Sequence, residues 1–557
     1  MLLGRLWDII KAINMFPKEI IDGEVLEDKD SLQKYSRDAS IFEITPKTII
    51  YPKNTDDLKK IVNFVTENKA TNQNLSLTAR SAGTDMSGGA INDSIILDFT
   101  KYFNHLLEIG DDYAITEPGV YYRDFEKATL EKNLIMPSFP ASRSLCALGG
   151  IMANNSGGEK SLSYGKTEKY LEEISAVLSD GNEYNFKPLN AEELKEKMAL
   201  ENFEGEIYRK MFALINDNYE AIQKAKPNVT KNSAGYYLWN VWDKATFDLT
   251  KLLVGSQGTL GLFTKGKFKL VKTTAHSKML VIFLKDLKPL GDLVNTLMQF
   301  HPETLETFDD NTFKLAIKFL PAMIKKMGGN IFNLGWKFLP EMLMTITHGV
   351  PKLIIIAEFT GDNEEELSKI AQRAQFAVKE QFNLKTHITK NTEESQKYWT
   401  FRHESFNLLR EKIKNLHTAP FIDDFIVHPQ DLPKFLPRLE KIFVKYPELI
   451  YTIAGHAGDA NFHIIPLMDL SQEKERKIIP KLSQEVYDLV LEYKGSITAE
   501  HNDGLVRGPY LEQMYGTKIF ELFKQVKEIF DPLNIFNPHK KTDATKEYLA
   551  SHIQKNI

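Results

Sequence analysis

Cysteine is almost missing from this sequence: Cys146 is the only one among 557 residues. A lone thiol cannot close an intramolecular disulfide, ligate a cysteine-based zinc site or hold an iron–sulfur cluster. A reducing, cytoplasmic setting is therefore expected, and any one-electron relay must be another protein. A surplus of positive charge is missing as well. Lys and Arg number 70 against 75 Asp and Glu, a net charge of −5, without the basic excess that binding to phosphate backbones favours. Nucleic acid is not expected as a partner. Nor does any apolar run reach the roughly 18 residues that a membrane-spanning helix needs. The opening stretch MLLGRLWDIIKAINMF is short and broken by Arg5, Asp8 and Lys11, which reads as an amphipathic helix rather than a secretory signal. What remains is an ordinary globular composition, 42% hydrophobic and 26% charged. At roughly 150 residues per domain, the length predicts two to four domains.

From about Ile49 to Leu178, strand-like runs (TIIY, LSLT, SIILDF) alternate with helical patterns (DDLKKIVNFVTEN, YRDFEKATLEKN), which predicts mixed helices and sheets. The stretch from Phe247 to Leu270 looks like a strand, glycine turn and strand that close the same domain. Beyond Thr273, MLVIFL, KLIIIAEF and YTIAG read as strands of a new sheet. Boundaries are expected to give a first domain over 1–272, a second over 273–500 and a closing segment over 501–557. Within the second, 313–352 carries six lysines against one acid, Glu341, among large apolar residues. Two readings stand: a helical insertion packed on its own domain with solvated lysines, or peripheral contact with an anionic membrane face.

Glycine gathers in three places. ARSAGTDMSGGA (Ala79 to Ala90) follows a strand-like run and fits neither the P-loop nor the Rossmann spacing. SLCALGGIMANNSGGEKSLSYGKTEKY (Ser144 to Tyr170) interleaves five glycines with Asn154, Asn155 and Ser156, and LVGSQGTLG (Leu253 to Gly261) repeats the idea. Glycine lets backbone N–H groups converge on an anion and lets the chain lie against a flat ligand. Any one such loop could be a plain turn, but three feeding one sheet point to a large, phosphate-bearing cofactor.

The rear half carries GHAGDANFH (Gly455 to His463) and AEHNDGLVRGPYL (Ala499 to Leu511). A bend at Gly458-Asp459 would bring His456 and His463 together, and with Glu500 they form a set suited to a divalent ion with open positions. A pair of core histidines without metal is the alternative reading. His501 is a candidate proton acceptor near pH 7.

Together these motifs resemble the flavoproteins of the vanillyl-alcohol oxidase and p-cresol methylhydroxylase superfamily, in its D-lactate, glycolate and D-2-hydroxyglutarate dehydrogenase branch. The resemblance runs from about Tyr35 to Lys540. It implies an α+β fold: a two-subdomain FAD-binding domain of p-cresol methylhydroxylase type, and an α+β cap domain with an antiparallel sheet. It further implies FAD contacts at Arg80, Ser81, Ala82, Gly83, Thr84, Asp85, Ser87 and Gly88 around the pyrophosphate. Along the flavin it implies Gly149, Gly150, Asn154, Asn155, Ser156, Gly157, Gly158, Tyr164 and Gly165. Gly255, Gly258, Thr259, Gly261 and, in the closing FDPLNIFNPHK, Asn537 are implied as further contacts. The first loop has neither His nor Cys, so the FAD is expected to be non-covalent. The metal set implied is His456, His463 and Glu500, holding Zn, Mn or Fe; His501 is the implied base and Arg402 the implied anchor of a substrate carboxylate. Asp423 and Asp424 are expected to orient neighbours. Ala460, Asn502 and His539 stand where the family commonly has glycine, which suggests a tighter turn at Ala460 and, at Asn502, either a hydrogen bond to the base or a narrower pocket. The implied reaction is oxidation of a D-2-hydroxy acid to the 2-oxo acid, with a separate iron–sulfur subunit, quinone or soluble carrier taking the electrons.

Overall fold

The structure is a computed structural model that describes residues 16–310, 351–400, 402 and 416–555. The amphipathic start and almost all of 313–352 lie outside the described residues. Three sheets of four or more strands organise the described residues, beside a two-stranded pairing of Leu134–Ile135 with Val271–Lys272. The first has the order β1-β2-β4-β3, from β1 (Glu24–Leu26), β2 (Thr48–Tyr51), β3 (Leu77–Arg80) and β4 (Ile95–Asp98). β4 pairs in parallel with both β2 and β3, which requires crossovers. The first crossover is a helix, Thr55–Asn68, capped by the Asn54 side chain, which accepts from Asp57 N at 2.9 Å. Its Leu58, Ile61, Val62 and Val65 recur at helical spacing and are wholly buried. The second is the first glycine-rich loop itself.

The second sheet is antiparallel, in the order β5-β6-β9-β7-β8, from β5 (Leu106–Ile109), β6 (Tyr113–Thr116), β7 (Leu171–Val177), β8 (Glu183–Phe186) and β9 (Leu262–Lys269). The second glycine loop leads into β7 and the third into β9. These strands run antiparallel, with Leu262 opposite Val177, and the two loops meet instead through the helix Leu148–Asn154, whose Met152 and Ala153 carbonyls accept from Gly255 N and Gln257 N at 2.8 Å.

The third sheet begins at His276 and is wholly antiparallel. Its strands are β10 (His276–Leu284), β11 (Thr304–Asp309), β12 (Leu353–Gly361), β13 (Lys385–Ile388), β14 (His417–Thr418), β15 (Phe425–Ile426), β16 (Ile450–His456) and β17 (Asn461–Met468). The order is β13-β10-β12-β11-β16-β17-β14, with β15 also on β17. Helices Leu290–Met298, Glu364–Phe382, Leu432–Phe443 and Ile478–Glu492 cover one face through buried Leu293, Leu297, Ala371, Phe435, Leu482 and Val486. The other face is left for the site.

The chain then returns to the front half. In the helix Leu511–Phe530, broken at Gly516, Leu511, Phe523, Val526 and Phe530 join the core of the second sheet. Leu77 of β3 donates to Ile535 O at 2.7 Å, and Asn537 N donates back to Leu77 O at 2.8 Å. Among the described residues no helix is long and apolar enough to cross a membrane.

Candidate active site

One cavity of about 490 Å³ lies between the three glycine loops and the uncovered face of the third sheet. On the front side its walls are backbone. Gly150, in the short helix Leu148–Asn154, has no atom within 4 Å of where a Cβ would sit, and Gly258, at φ +68°, has only the Ala79 Cβ at 3.5 Å. Side chains there would project into open space that a flat ligand can occupy. Gly83, at φ +67°, is required for a different reason: a Cβ would lie 2.3 Å from the Arg80 guanidinium.

Buried amides tie the loops to one another. Asp85 Oδ2 accepts from Ser87 N, Ser87 Oγ and Gly89 N, while its Oδ1 accepts from Asn154 Nδ2 at 2.8 Å. Gln257 Nε2 donates to Ser87 Oγ at 2.9 Å, and its Oε1 accepts from Gly504 N at 2.8 Å. Asn502 Nδ2 donates to Gly255 O at 2.9 Å and to Asn154 O at 3.2 Å. The cradle is thus fixed by side chains that point along its walls and are satisfied there.

On the rear side, the β16–β17 hairpin places the histidines. His456 pairs with Asn461 across the turn and Ala454 pairs with His463. The two histidines are therefore diagonal neighbours on one face, with ring centroids 5.1 Å apart, which reconciles their odd spacing in sequence. His501 stacks on His463 at 5.0 Å. Each ring has a carboxylate at Nδ1: Glu306 Oε1 lies 2.6 Å from His456, Asp423 Oδ1 lies 2.9 Å from His463, and Asp423 Oδ2 lies 2.7 Å from His501. In the neutral rings of His463 and His501 this partnering favours the Nδ1–H tautomer and leaves Nε2 as the acceptor, whereas His456 has carboxylates at both nitrogens and donates from each. For His456, Nε2 faces Glu500 Oε2 at 3.2 Å. Arg402 joins from the side, with Nη2 at 3.2 Å from Glu306 Oε2.

A model of the FAD binding domain matches residues 46–187, and one of the C-terminal domain of FAD linked oxidases matches residues 273–541. The matched domains are those of FAD-linked oxidases. It is 23% identical over 526 residues to a D-2-hydroxyglutarate dehydrogenase of Pseudomonas putida, covering 93% of this chain and 50% of that protein; the chain spans about half the length of such relatives. It is also 23% identical to a D-lactate dehydrogenase of Anaerostipes hadrus, covering 96% of each. In fold it is similar to the crystal structure of p-cresol methylhydroxylase with substrate bound, with a TM-score of 0.63, 15% identity and 93% of each chain covered. The fold is of p-cresol methylhydroxylase type, an FAD-binding domain with a cap domain built on an antiparallel sheet, and FAD is the cofactor that the matched domain binds.

Of the residues the sequence singles out, Arg80 to Asp85, Gly149, Gly150, Asn154, Ser156, Gly157, Gly258 and Gly261 line the cavity, as do Arg402, His456, His463, Glu500 and His501. Ser87, Gly88, Asn155, Gly158, Tyr164, Gly165, Gly255 and Thr259 stand behind this lining. Asn537 does too: its amide donates to Gly89 O and Gln257 O and accepts from Thr78 Oγ1, so it joins the first loop to the third. Arg80 braces its own loop, donating to Arg37 O at 2.9 Å and to Ala90 O. Asn502 neither narrows the pocket nor bonds the His501 ring; it adopts φ +66°, and its amide is taken by Asn154 O, Gly255 O, Asp503 N and Lys541 Nζ. Among the described residues, the four groups that bring ligand atoms within 4.8 Å of one another are Asp424, His463, Glu500 and His501, a different set from the expected His456, His463 and Glu500. Asp424 is committed elsewhere. Its Oδ2 accepts from Thr498 Oγ1 and from the N–H groups of Ala499, Glu500 and His501.

Sequence reasoning passed over Lys231, Glu306 and the stretch from Pro140 to Ser142, and it assigned no role in the site to Gln257 or to the segment Ser144 to Ala147; all of these but Lys231 and Glu306 border the cavity. Cys146 lies in that segment with its thiol pushed up to about 12 by burial, far from the thiolate that a covalent link would need. Burial opposes charge on His501, but Asp423 and Asp424 outweigh it and hold the ring at about 9. Glu306 and Glu500 likewise overcome burial to hold His456 at about 9. Burial lowers His463 despite Asp423.

Proposed function

We propose that this protein oxidises a D-2-hydroxy acid, D-lactate-like in size, to the 2-oxo acid. The observation that carries the reading is the sharing of one cavity by the glycine cradle and by the imidazole cluster with Arg402. FAD fits the cradle, whose glycine walls leave room where side chains would stand, and when bound it supplies the acceptor for the C2 hydrogen and its electron pair. Arg402, with its Nε and Nη2 edge steadied by Glu306, directs its guanidinium charge at the substrate carboxylate. His501 takes the hydroxyl proton at Nε2, held in line by Asp423.

The donor set also fits a divalent ion. His456 and His463 offer Nε2 with carboxylates at their other nitrogens, as ligating histidines do, and Glu500 supplies the oxygen. A divalent ion, when bound, supplies positive charge beside the developing alkoxide. That same charge opposes protonation of His501, which the aspartates alone would favour at pH 7. Reoxidation calls for an acceptor outside this chain, since one cysteine holds no iron–sulfur cluster. Contact of 313–352 with anionic lipid belongs to the same reading, and pelleting with anionic vesicles tests it.

The experiment is an oxygen-free titration of the yellow protein with D- and L-lactate, D-2-hydroxyglutarate and glycolate, with and without prior chelation. Bleaching by a D-acid, with the 2-oxo acid formed and the rate lost on chelation, is the expected result. A protein that stays yellow with every acid overturns the reading.

A further inference from the structure

Lys231 belongs to the front half, yet its ammonium lies in the rear cluster with only 2% of its side chain exposed. It forms an ion pair with Glu500 Oε1 and lies 3.1 Å from Asp459 Oδ2. The neighbouring chain makes this placement rigid. Ser233 N donates to Thr498 O at 3.0 Å, and Ser233 Oγ donates to Ala499 O at 3.0 Å. Lys166 Nζ donates to the same Ala499 carbonyl at 2.7 Å. Asp424 holds the Glu500 N–H, and a Cβ on Gly157 would sit 3.0 Å from Glu500 Oε1. Glu500 is thus fixed at its backbone and at one carboxylate oxygen, and only Oε2 is presented to His456.

We propose that Lys231 is the positioning residue and resident counter-ion of Glu500: it aims one oxygen at the metal position and neutralises Glu500 and Asp459 when no metal is bound. The proposal rests on the metal reading above. Two carboxylates this deeply buried require positive charge nearby. A fixed ammonium supplies it permanently, and it also repels a divalent ion a few ångströms away. Lys231 therefore limits metal affinity in exchange for an ordered site in the metal-free protein. Without it, Glu500 is left with His456 and, when loaded, the metal.

The test is calorimetric titration of chelator-treated, FAD-loaded protein with Mn2+ and with Zn2+, using wild type, Lys231→Met, Lys231→Gln and Lys231→Arg, with melting temperatures recorded in parallel. The neutral variants are expected to bind metal at least about tenfold more tightly than wild type. They are also expected to melt lower without metal and to gain more from its addition. Lys231→Arg restores near wild-type affinity. Unchanged or weaker affinity in both neutral variants, with wild type binding normally, overturns the role of Lys231 and leaves the metal reading standing. If neither wild type nor any variant binds metal, both are overturned.

Discussion

The rings of His463 and His501 stack 5.0 Å apart with a 16° tilt, and a single carboxylate, Asp423, reaches Nδ1 of both. The ring proposed to hold the metal and the ring proposed to take the proton are therefore oriented by the same group. Asp423 is wholly buried, and although burial alone would raise its pKa, His501 and His463 hold it far below the carboxylate range. Asp423→Asn keeps the shape and removes the charge. It is expected to slow flavin reduction about 10–100-fold with FAD content unchanged, measured by oxygen-free rapid mixing.

The front half is tested at Gly150. Because nothing lies within 4 Å of its Cβ position, a larger side chain there meets the ligand and not the protein. Gly150→Leu is expected to purify nearly colourless with at least about tenfold weaker FAD binding. Its FAD-free form should melt no lower than that of wild type, since glycine in a helix costs about 1 kcal/mol.

The turn between the two histidines is strained by one methyl group. Ala460 sits at φ +56°, a conformation that costs an L-residue about 1–2 kcal/mol and glycine almost nothing. After the greater freedom of glycine in the unfolded chain is deducted, Ala460→Gly is expected to stabilise the protein by about 0.5 kcal/mol. Denaturant titration checks this, and metal affinity should be retained.

Stability should also depend on pH through Glu358 on β12. Burial, reinforced by Glu303, raises its pKa to about 7, against the partial opposition of Lys160. An acid whose folded pKa lies above its unfolded value contributes stability in full below the unfolded value and loses it as pH rises through the folded one. Wild type should therefore weaken between pH 4.5 and 7 at this site. Glu358→Gln is expected to be more stable than wild type at pH 8 by about 1–2 kcal/mol, allowing for partial exposure. Near pH 4.5 the advantage should vanish.

The sequence discloses the parts of the site whose chemistry is local. Glycine runs, GHAGDANFH and AEHN stand out because unusual residues lie side by side, and their patterns carry the cavity walls and the imidazole cluster. Contacts made across the fold leave no such mark. Lys231 meets Glu500 across 269 positions, and Glu306 meets His456 across 150; in sequence each is one charged residue among many. Asn537 and Asn502 show the converse. Both are singled out through the family resemblance, yet their amides are spent on backbone carbonyls of the distant glycine loops, which periodicity and composition do not report.

The central claim is that both halves act on one bound acid, with His501 removing the hydroxyl proton. Its most direct test is the rate at which D-lactate bleaches the flavin of wild type and of His501→Asn under exclusion of oxygen, at equal FAD occupancy. The account predicts a rate at least about a hundredfold lower in the variant. Equal rates in the two proteins would contradict it.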